Sequence, residues 1–525
     1  MLRINQMNFS LTYEINIKKA IATKLRIPES DVLDYKIHKE SIDARKGKAK
    51  LVYTIDFNCN DEAKLLATHK FLSVTPEKNY VYPSKGVTKL NLRPIIVGFG
   101  PAGMFAALIL AQMGYKPLIL EQGEDVDART KSVDEFWKSG KLNTRSNVQF
   151  GEGGAGTFSD GKLTARSKDL RCNKILEELV NNGAPDEILY KNKPHIGTDL
   201  LKDVVKTMRC KIIELGGEVR FSTKVDTLVI ENDIIKAVKL ENGDLIESDV
   251  IVLAIGHSSR DTFEELHKKG VSLTPKPFAM GMRIEHPQKM INKAQYKDYD
   301  IIQILGPADY HLTHTTEDGR AVYTFCMCPG GMVVAASSEE ASVVTNGMSY
   351  HARDHENSNS AILVSVTPED YFKGHPLDGM YLQRKIENDA FKVAGETYKA
   401  PYISVGEFMK GVNYKTEVKS TYTPGVERVS PYDYLPSFIV DAIKEAIPNF
   451  ANRLNDFDMD GAILTGPETR SSSPVRINRD LETFESTNIS GLYPCGEGAG
   501  YAGGIVSSGI DGIKIAEEII KKYYL

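Results

Sequence analysis

Pro94-Ile95-Ile96-Val97-Gly98-Phe99-Gly100-Pro101-Ala102-Gly103, then an Ala- and Leu-rich run to Met113 and an apolar run ending at Glu121, is the most informative part of the chain. Pro94 to Val97 has the length and composition of a strand buried on both faces. Residues 101–113 are good helix formers, and Tyr115 to Leu120 reads as the next strand. Strand, G-x-G-x-x-G, helix, strand and acid is the dinucleotide-binding arrangement. Gly98 allows the tight turn, Gly100 lets the main chain approach a pyrophosphate, and Gly103 permits close helix–strand packing. Pro101 and Ala102 open a helix whose N-terminus presents unpaired N–H groups to phosphates. Glu121 lies 18 residues beyond Gly103 and is placed to accept hydrogen bonds from a ribose.

Glycine spacing alone is a weak signal, because Gly151, Gly153 and Gly156 repeat it, and so do Gly498, Gly500 and Gly503. Only the first set has the strand, helix and acid around it. The other two loops point from NAD towards the larger FAD, since a plain NAD domain needs only the first. In Phe150 to Lys162, Gly153, Gly154, Thr157, Ser159, Gly161 and Lys162 offer a nest for anions or for a flavin edge. In Gly496 to Gly504, Glu497 can bond ribitol hydroxyls, and Gly503, Gly504 and Ile505 open a second helix. Taken singly, each loop also reads as a structural turn.

The chain has 525 residues, enough for three or four domains and a large core. Its net charge of −5 and 26% charged residues exclude a disordered chain and a generally basic nucleic-acid coat. Six scattered cysteines exclude a disulfide scaffold. The 22 uncharged residues between Arg93 and Lys116 are long enough to span a bilayer, but Gly98, Gly100, Pro101 and Gly103 break them. No signal segment stands at the start, so a cytoplasmic protein with free thiols and no membrane partner is expected.

Four segments follow. Residues 1–88 form a small α+β unit, with Ile17, Ala20, Ile21 and Leu25 at helical spacing, a strand from Val32 to Ile37, and alternation at Leu51, Tyr53, Ile55 and Phe57. Residues 89–275 begin an α/β Rossmann-like domain, 276–480 form a mixed α+β cap, and 481–525 supply the final strand and helix of a split FAD-binding domain.

Beyond these motifs the sequence resembles the glutathione-reductase-type FAD fold. The stretch from Gly98 to Glu121, the run Asp249 to Gly256 and the motif Leu492-Tyr493-Pro494-Cys495-Gly496-Glu497 carry the likeness. More narrowly it is similar to the uncharacterised bacterial FAD-dependent dehydrogenase group, also called NAD(FAD)-utilising dehydrogenases. Asn147 to Leu163, Thr324 to Gly331 and Glu468 to Arg476 carry that likeness. The resemblance implies non-covalent FAD, with further contacts at Gln122, Arg129, Ala254 and Gly256 and with adenine at the Val225 main chain. It also implies a cap over the flavin. It does not supply a substrate.

The flavin carries the redox chemistry in such a protein, while side chains orient the substrate. Candidates for that role are Arg283, His286, Cys326, Cys328, Glu468 and Arg470. On a strand, Cys326 and Cys328 face one side and can line one pocket wall; the blander reading is two small buried hydrophobes. No companion C-x-x-C exists, so no metal is expected. Glu468, Arg470, Arg476 and Arg479 form one charged cluster, and Arg283, Glu285 and His286 another. Guanidinium groups suit an acidic or polar small-molecule substrate, and equally an ion-pair network tying the cap to the FAD domain. His195 reads more readily as structural, and so does His257, which, directly after Gly256, can also sit near the cofactor. No second dinucleotide unit is visible, so NAD(P)H, if used, is a transient donor sharing the substrate's cleft.

The alternative function is an RNA- or polyanion-binding flavoprotein, including a role in RNA modification. Residues 1–90 carry 16 Lys+Arg against 10 Asp+Glu, a net of +6, and Arg45, Lys46, Lys48 and Lys50 crowd one connection. No aromatic RNA-binding signature interleaves them.

Overall fold

The computed structural model describes residues 1–525 except 12–14, 44–49, 77–78, 165–167, 297–304, 413, 415 and 417. The strand Ile95–Val97 lies at the centre of a five-stranded parallel sheet ordered Leu492–Pro494, Ile251–Leu253, Ile95–Val97, Leu118–Leu120, Glu218–Arg220. The central strands are short and wholly apolar because helices and loops cover both faces. The strand Leu492–Pro494 brings the chain's last segment to the edge of the sheet, paired with Ile251–Leu253.

The uncharged run from Arg93 to Lys116 is the helix Pro101–Gln112 with its flanking strand and turn. Ten of its twelve residues are buried, because the C-terminal helix Ile505–Lys522 packs on it from outside. Small residues set that approach. A Cβ at Gly512 would lie 2.1 Å from the Ala102 carbonyl oxygen, and one at Gly103 would lie 2.1 Å from the Gly98 oxygen. Among the described residues no helix is long and apolar enough to cross a membrane.

An antiparallel meander, Val225–Glu231, Ile234–Leu240 and Leu245–Glu247, follows the parallel sheet. The ribbon formed by Leu273–Pro275 and Val475–Ile477 then leads to and from the cap. The segment expected to form the cap holds a seven-stranded sheet ordered Thr313–Thr315, Ala321–Cys328, Asn357–Val366, Phe278–Pro287, Ile463–Glu468, Ala400–Ser404, Val426–Arg428. Along Phe278–Pro287, Met280, Met282 and Ile284 enter the core beneath the helix Ser437–Ala451. Gly281, Arg283 and Glu285 therefore take the other face.

The N-terminal unit is an antiparallel sheet ordered Val32–Asp43, Lys50–Cys59, Leu2–Ser10, Leu72–Val74, with helices Ile17–Leu25 and Glu62–Thr68. Leu51, Tyr53, Ile55 and Phe57 point into its core as the alternation requires. The strand expected from Val32 to Ile37 continues to Asp43, held by pairing with Lys50–Cys59. Arg45, Lys46 and Lys48 of the basic connection lie outside the described residues, and Lys50 is exposed at the start of its strand.

Gly103→Val puts side-chain atoms where the Gly98 carbonyl stands. The expected cost is about 2–3 kcal/mol, as in overpacked cores. Gly503→Ala, whose Cβ would meet nothing within 4 Å, is expected to leave stability near wild type. Urea midpoints at constant m value measure both.

Candidate functional site

The three glycine loops converge on one elongated cleft of about 1600 Å³ of empty space, open solvent at its mouth included. Gly98, Gly100, Pro101 and Ala102 border one part of it, with Glu121 and Gln122 beyond the second strand and Val225, Ala254 and Gly256 alongside. Gly154, Ser159, Gly161 and Lys162 come from the second loop. Glu497, Gly503, Gly504 and Ile505 come from the third. From the cap, Cys326, Glu468 and Arg470 reach the same cleft.

Two glycines make the loops possible. Gly98 turns at φ +98°, and a Cβ there would lie 2.4 Å from the Ala254 carbonyl oxygen. Gly154 turns at φ +61°, with room for no Cβ above Gly100, whose Cα would stand 2.9 Å away. Glu121 ties the loops together. The N–H of Phe99 donates to its Oε2 at 2.8 Å, and those of Gly123 and Gly151 donate to its Oε1 at 2.9 and 3.0 Å. It lines the cleft and has acceptor capacity left for a ribose hydroxyl.

The remaining cofactor candidates stand behind the cleft wall. Gly103 packs the helix onto the strand, and Gly496 receives its place from Asp511, whose Oδ2 accepts the Gly496 N–H at 2.7 Å. Gly153 closes on Thr157, whose hydroxyl donates to the Glu152 carbonyl at 3.2 Å. Arg129 does not line the cleft. It is fully buried and donates to the main-chain oxygens of Asn147, Val148 and Glu152 at 2.9, 3.0 and 2.6 Å, fastening the second loop from below. Burial lowers its pKa to about 10.

The cap candidates divide more sharply. Arg283 is fully buried and contributes nothing directly to the cleft wall. Its Nε and Nη2 donate to the two carboxylate oxygens of Glu468 at 2.6 and 2.5 Å, and its Nη1 donates to Asn359 Oδ1 at 2.7 Å and the Cys326 carbonyl at 3.2 Å. Arg283 is therefore a positioning group for Glu468 and Cys326, not a ligand for substrate. The expected companionship of Arg283 with Glu285 on one face holds, but Glu285 faces Thr421 and Asn357 instead.

His286 is away from the cleft, buried, with Nε2 donating to the Phe457 carbonyl at 2.8 Å and Nδ1 without a partner among the described residues. Burial pushes its pKa down to about 4. Its strand position, one residue past Glu285, turns it away from the cleft.

Cys326 and Cys328 do not share the pocket wall. Strand pairing shifts register between Phe325 and Cys328, and Cys326 adopts φ +44°. Cys326 is open to the cleft, whereas Cys328 is fully buried and donates its thiol to the Cys326 carbonyl at 3.2 Å. Burial pushes the Cys328 thiol up to about 12. The bulge explains the difference, since simple alternation fails where an extra residue enters a strand.

Arg470 lines the cleft, but its guanidinium is engaged. It donates to Glu387 at 3.0 and 2.8 Å and to the Ser338 hydroxyl. Glu387 also accepts from Arg260 at 2.7 and 2.8 Å. Although burial opposes it, these two guanidinium groups hold the Glu387 carboxyl well below the usual range. This is the ion-pair network between cap and FAD-side segments that the sequence offers as the plain reading of these arginines. Arg479 is likewise engaged, with Asp511 at 2.8 and 2.6 Å. His195 bonds the His351 carbonyl at 3.1 Å away from the cleft and is a structural fastener, whereas His257 lines the cleft while donating from Nε2 to the Arg470 carbonyl at 2.6 Å.

Several cleft residues escape sequence reasoning, Asp160 and Asn346 among them. Asp160 is buried against Arg353, at 3.1 and 2.5 Å, and against the Ser349 hydroxyl. Burial opposes its ionisation, yet Arg353 and Lys162 hold its carboxyl below the usual range. The only available signal was an acid inside a glycine-rich loop. Asn346 lies on a cap strand with no local signature.

FAD fits these residues. Two loops are stripped of side chains where they close on each other, a helix N-terminus opens on the cleft at Gly504 and Ile505, and Glu497 faces it without a hydrogen-bond partner among the described residues. Burial pushes the Glu497 carboxyl up, against the pull of His257 and Lys276. Among the described residues no cluster of His, Cys, Asp and Glu fit for a metal occurs.

Residues 277–471 match the family described as FAD-dependent protein, C-terminal domain-like. Residues 1–58 match a domain of unknown function. An uncharacterised protein of Clostridium beijerinckii is 50% identical over all of this chain and 99% of its own length. Among solved structures, glycine oxidase from Bacillus cereus is 11% identical with a TM-score of 0.32, over 82% of this chain and 98% of that one. Halogenase PltM is 12% identical with a TM-score of 0.37, over 81% and 68%.

Arg283→Met is expected to cost about 3–5 kcal/mol by leaving Glu468 buried and unpaired. Arg283→Met with Glu468→Met should recover most of that loss, and urea denaturation of the double-mutant cycle measures it. A second expectation concerns pH. The pKa of His286 falls from 6.5 to about 4 on folding, so the unfolded chain takes up the proton first. Stability is then full above the unfolded value and declines as pH falls from there towards the folded one. His286 is expected to account for about 2 kcal/mol of loss at about pH 5, absent in His286→Gln. His195, also lowered to about 4, acts with the same sign.

Proposed function

The chain belongs to one family with the Clostridium beijerinckii protein and carries the C-terminal domain of FAD-dependent proteins, and on that premise we propose that it is an FAD-dependent oxidoreductase transferring hydride between flavin and a polar small molecule. The observation that carries the reading is the convergence of all three glycine loops and the cap on one cleft. Gly98 to Ala102 and the helix they open would hold the pyrophosphate, Glu121 a ribose, and the Val225 main chain the adenine. Glu497 would meet the ribitol hydroxyls. Gly161, Lys162 and the start of Ile505–Lys522 would border the flavin.

When bound, FAD supplies a two-electron acceptor that side chains alone cannot provide. This chain's residues do the remaining work. Glu468, with both oxygens held by Arg283, serves as a fixed acceptor for a substrate O–H or N–H. Cys326 and Asn346 border the substrate from the cap side. The Arg260–Glu387–Arg470 network keeps the cap seated and water out. Because Arg283, Arg470 and Arg479 already have carboxylate partners, hydrogen-bond donors on the substrate suit Glu468 better than an acidic group does.

Purified protein is expected to release FAD, not FMN, on denaturation. Gly100→Val should yield apoprotein, because a branched side chain there fills the approach to the first loop. Absorbance of the supernatant and chromatography of the released nucleotide check both. A colourless wild type that takes up no added FAD overturns the proposal.

A further inference from the structure

Four arginines stand out in the sequence as groups for an anionic ligand, and three of them end in carboxylates of this chain. Arg283 holds Glu468, Arg470 holds Glu387, and Arg479 holds Asp511. Arg476 is different. It is exposed, and its guanidinium lies 5.2 Å from the centre of the Tyr501 ring. Among the described residues neither Arg476 nor its neighbour Lys276 forms an ion pair, and the Lys276 Nζ meets only the Pro277 carbonyl, at 3.4 Å.

Strand geometry puts these two cations on one face. In the ribbon joining cap and parallel sheet, Thr274 stands opposite Arg476 and Pro275 opposite Val475. The Val475 side chain is buried in the core on one side. Alternation then sends Arg476, Thr274 and Lys276 to the other, with Lys276 and Arg476 as diagonal neighbours. That face packs on the third glycine loop. A Cβ at Gly500 would lie 3.2 Å from the Arg476 Cα and 3.3 Å from the Lys276 Cδ. The same loop gives Glu497, Gly503 and Gly504 to the cleft. Burial, and then the charge of Arg476, lower the Lys276 pKa, while Glu497 opposes them. Like charges held side by side raise the energy of the fold unless an anion joins them.

We propose that Lys276 and Arg476 form an oxyanion site flanking the cleft, which takes the pyrophosphate of a soluble dihydronicotinamide dinucleotide. The inference rests on the oxidoreductase reading above and names the electron donor for that site. A pyrophosphate brings two anionic units to two cations, one on a strand of the ribbon and one just past the end of its partner strand, which a single carboxylate does not. Hydride leaves C4 of the dihydronicotinamide with both electrons of its C–H bond, giving the nicotinamide cation. With FAD held in the cleft, its two-electron reduction would account for that hydride and one solvent proton. The donor enters the cleft, reacts and leaves, so it needs a charge anchor and not a second dinucleotide domain.

FAD-loaded wild type and Lys276→Gln/Arg476→Gln would be compared by anaerobic stopped flow with NADH, NADPH and the phosphate-free N-benzyl-1,4-dihydronicotinamide. The second-order rate constant for NADH or NADPH, divided by that for the phosphate-free donor, is expected to fall about tenfold or more in the variant. Calorimetry on the same loaded proteins should show inorganic pyrophosphate binding to wild type and at least tenfold weaker binding to the variant. An unchanged ratio, or equal pyrophosphate binding, overturns the proposal. So does displacement of pyrophosphate by malonate at equal concentration, which would assign the pair to a carboxylate substrate. Failure of both dinucleotides on a flavin that the phosphate-free donor reduces also overturns it and leaves the oxidoreductase reading standing. A flavin reduced by no donor counts against that reading, and the pyrophosphate titration still decides the anion site.

Discussion

Glu387 is the carboxylate on which the arrangement of cap and cofactor cleft depends. It is wholly buried on the helix Asp378–Val393, and it accepts from Arg260 on one side and Arg470 on the other. Arg260 begins the helix after the parallel sheet, whereas Arg470 follows a cap strand. A buried carboxylate between two guanidinium groups is stable only with those partners in place, because alone it would be an uncompensated charge, and Glu339 shares the arginines, accepting from Arg260 at 2.5 Å. The network therefore acts as a registration device between two parts of the chain. It also explains why Arg470 borders the cleft without having a free guanidinium to offer.

The same logic recurs at the wall of the cleft. Arg283 fixes the Glu468 carboxylate by two parallel bonds and the Cys326 carbonyl by a third, so one guanidinium orients two groups that reach the cleft. Asp160, on the second glycine loop, is fixed by Arg353. Polar groups held this way lose little entropy when a ligand binds, which favours a site with a definite geometry over an adaptable one. On the cofactor side the device is different. Main chains approach each other through missing side chains at Gly98, Gly103, Gly154 and Gly512, and Glu121 gathers N–H groups from the first and second glycine loops and from its own turn.

What could be read from the chain follows this division. The fingerprint from Gly98 to Glu121, the second loop around Gly154 and Gly161, and the third around Gly503 all reach the cleft, because main-chain cradles depend on local sequence. Arg129 did not follow, since a guanidinium near a glycine loop can serve the loop as readily as a ligand. In the cap, Glu468 and Cys326 reach the cleft, while Arg283, His286 and Cys328 stand behind it. Strand periodicity paired Arg283 with Glu285 correctly, but it carried no information about which carboxylate each would meet across the sheet.

The sequence by itself determined the dinucleotide-binding turn, the buried strands and the terminal helix. Glycine geometry, hydrophobic runs and helix propensity act within a few residues of the chain. Only the tertiary structure decided the partners of the buried charges. Arg283 and Glu468 are 185 positions apart, and Arg260 and Glu387 are 127 apart. Nothing local specifies such a pairing, because the desolvation that makes a charge need a partner arises only once the sheet and cap have closed over it. A one-residue bulge at Cys326 belongs to the same class, since it is fixed by pairing with Asn357–Val366 and by the reach of Arg283.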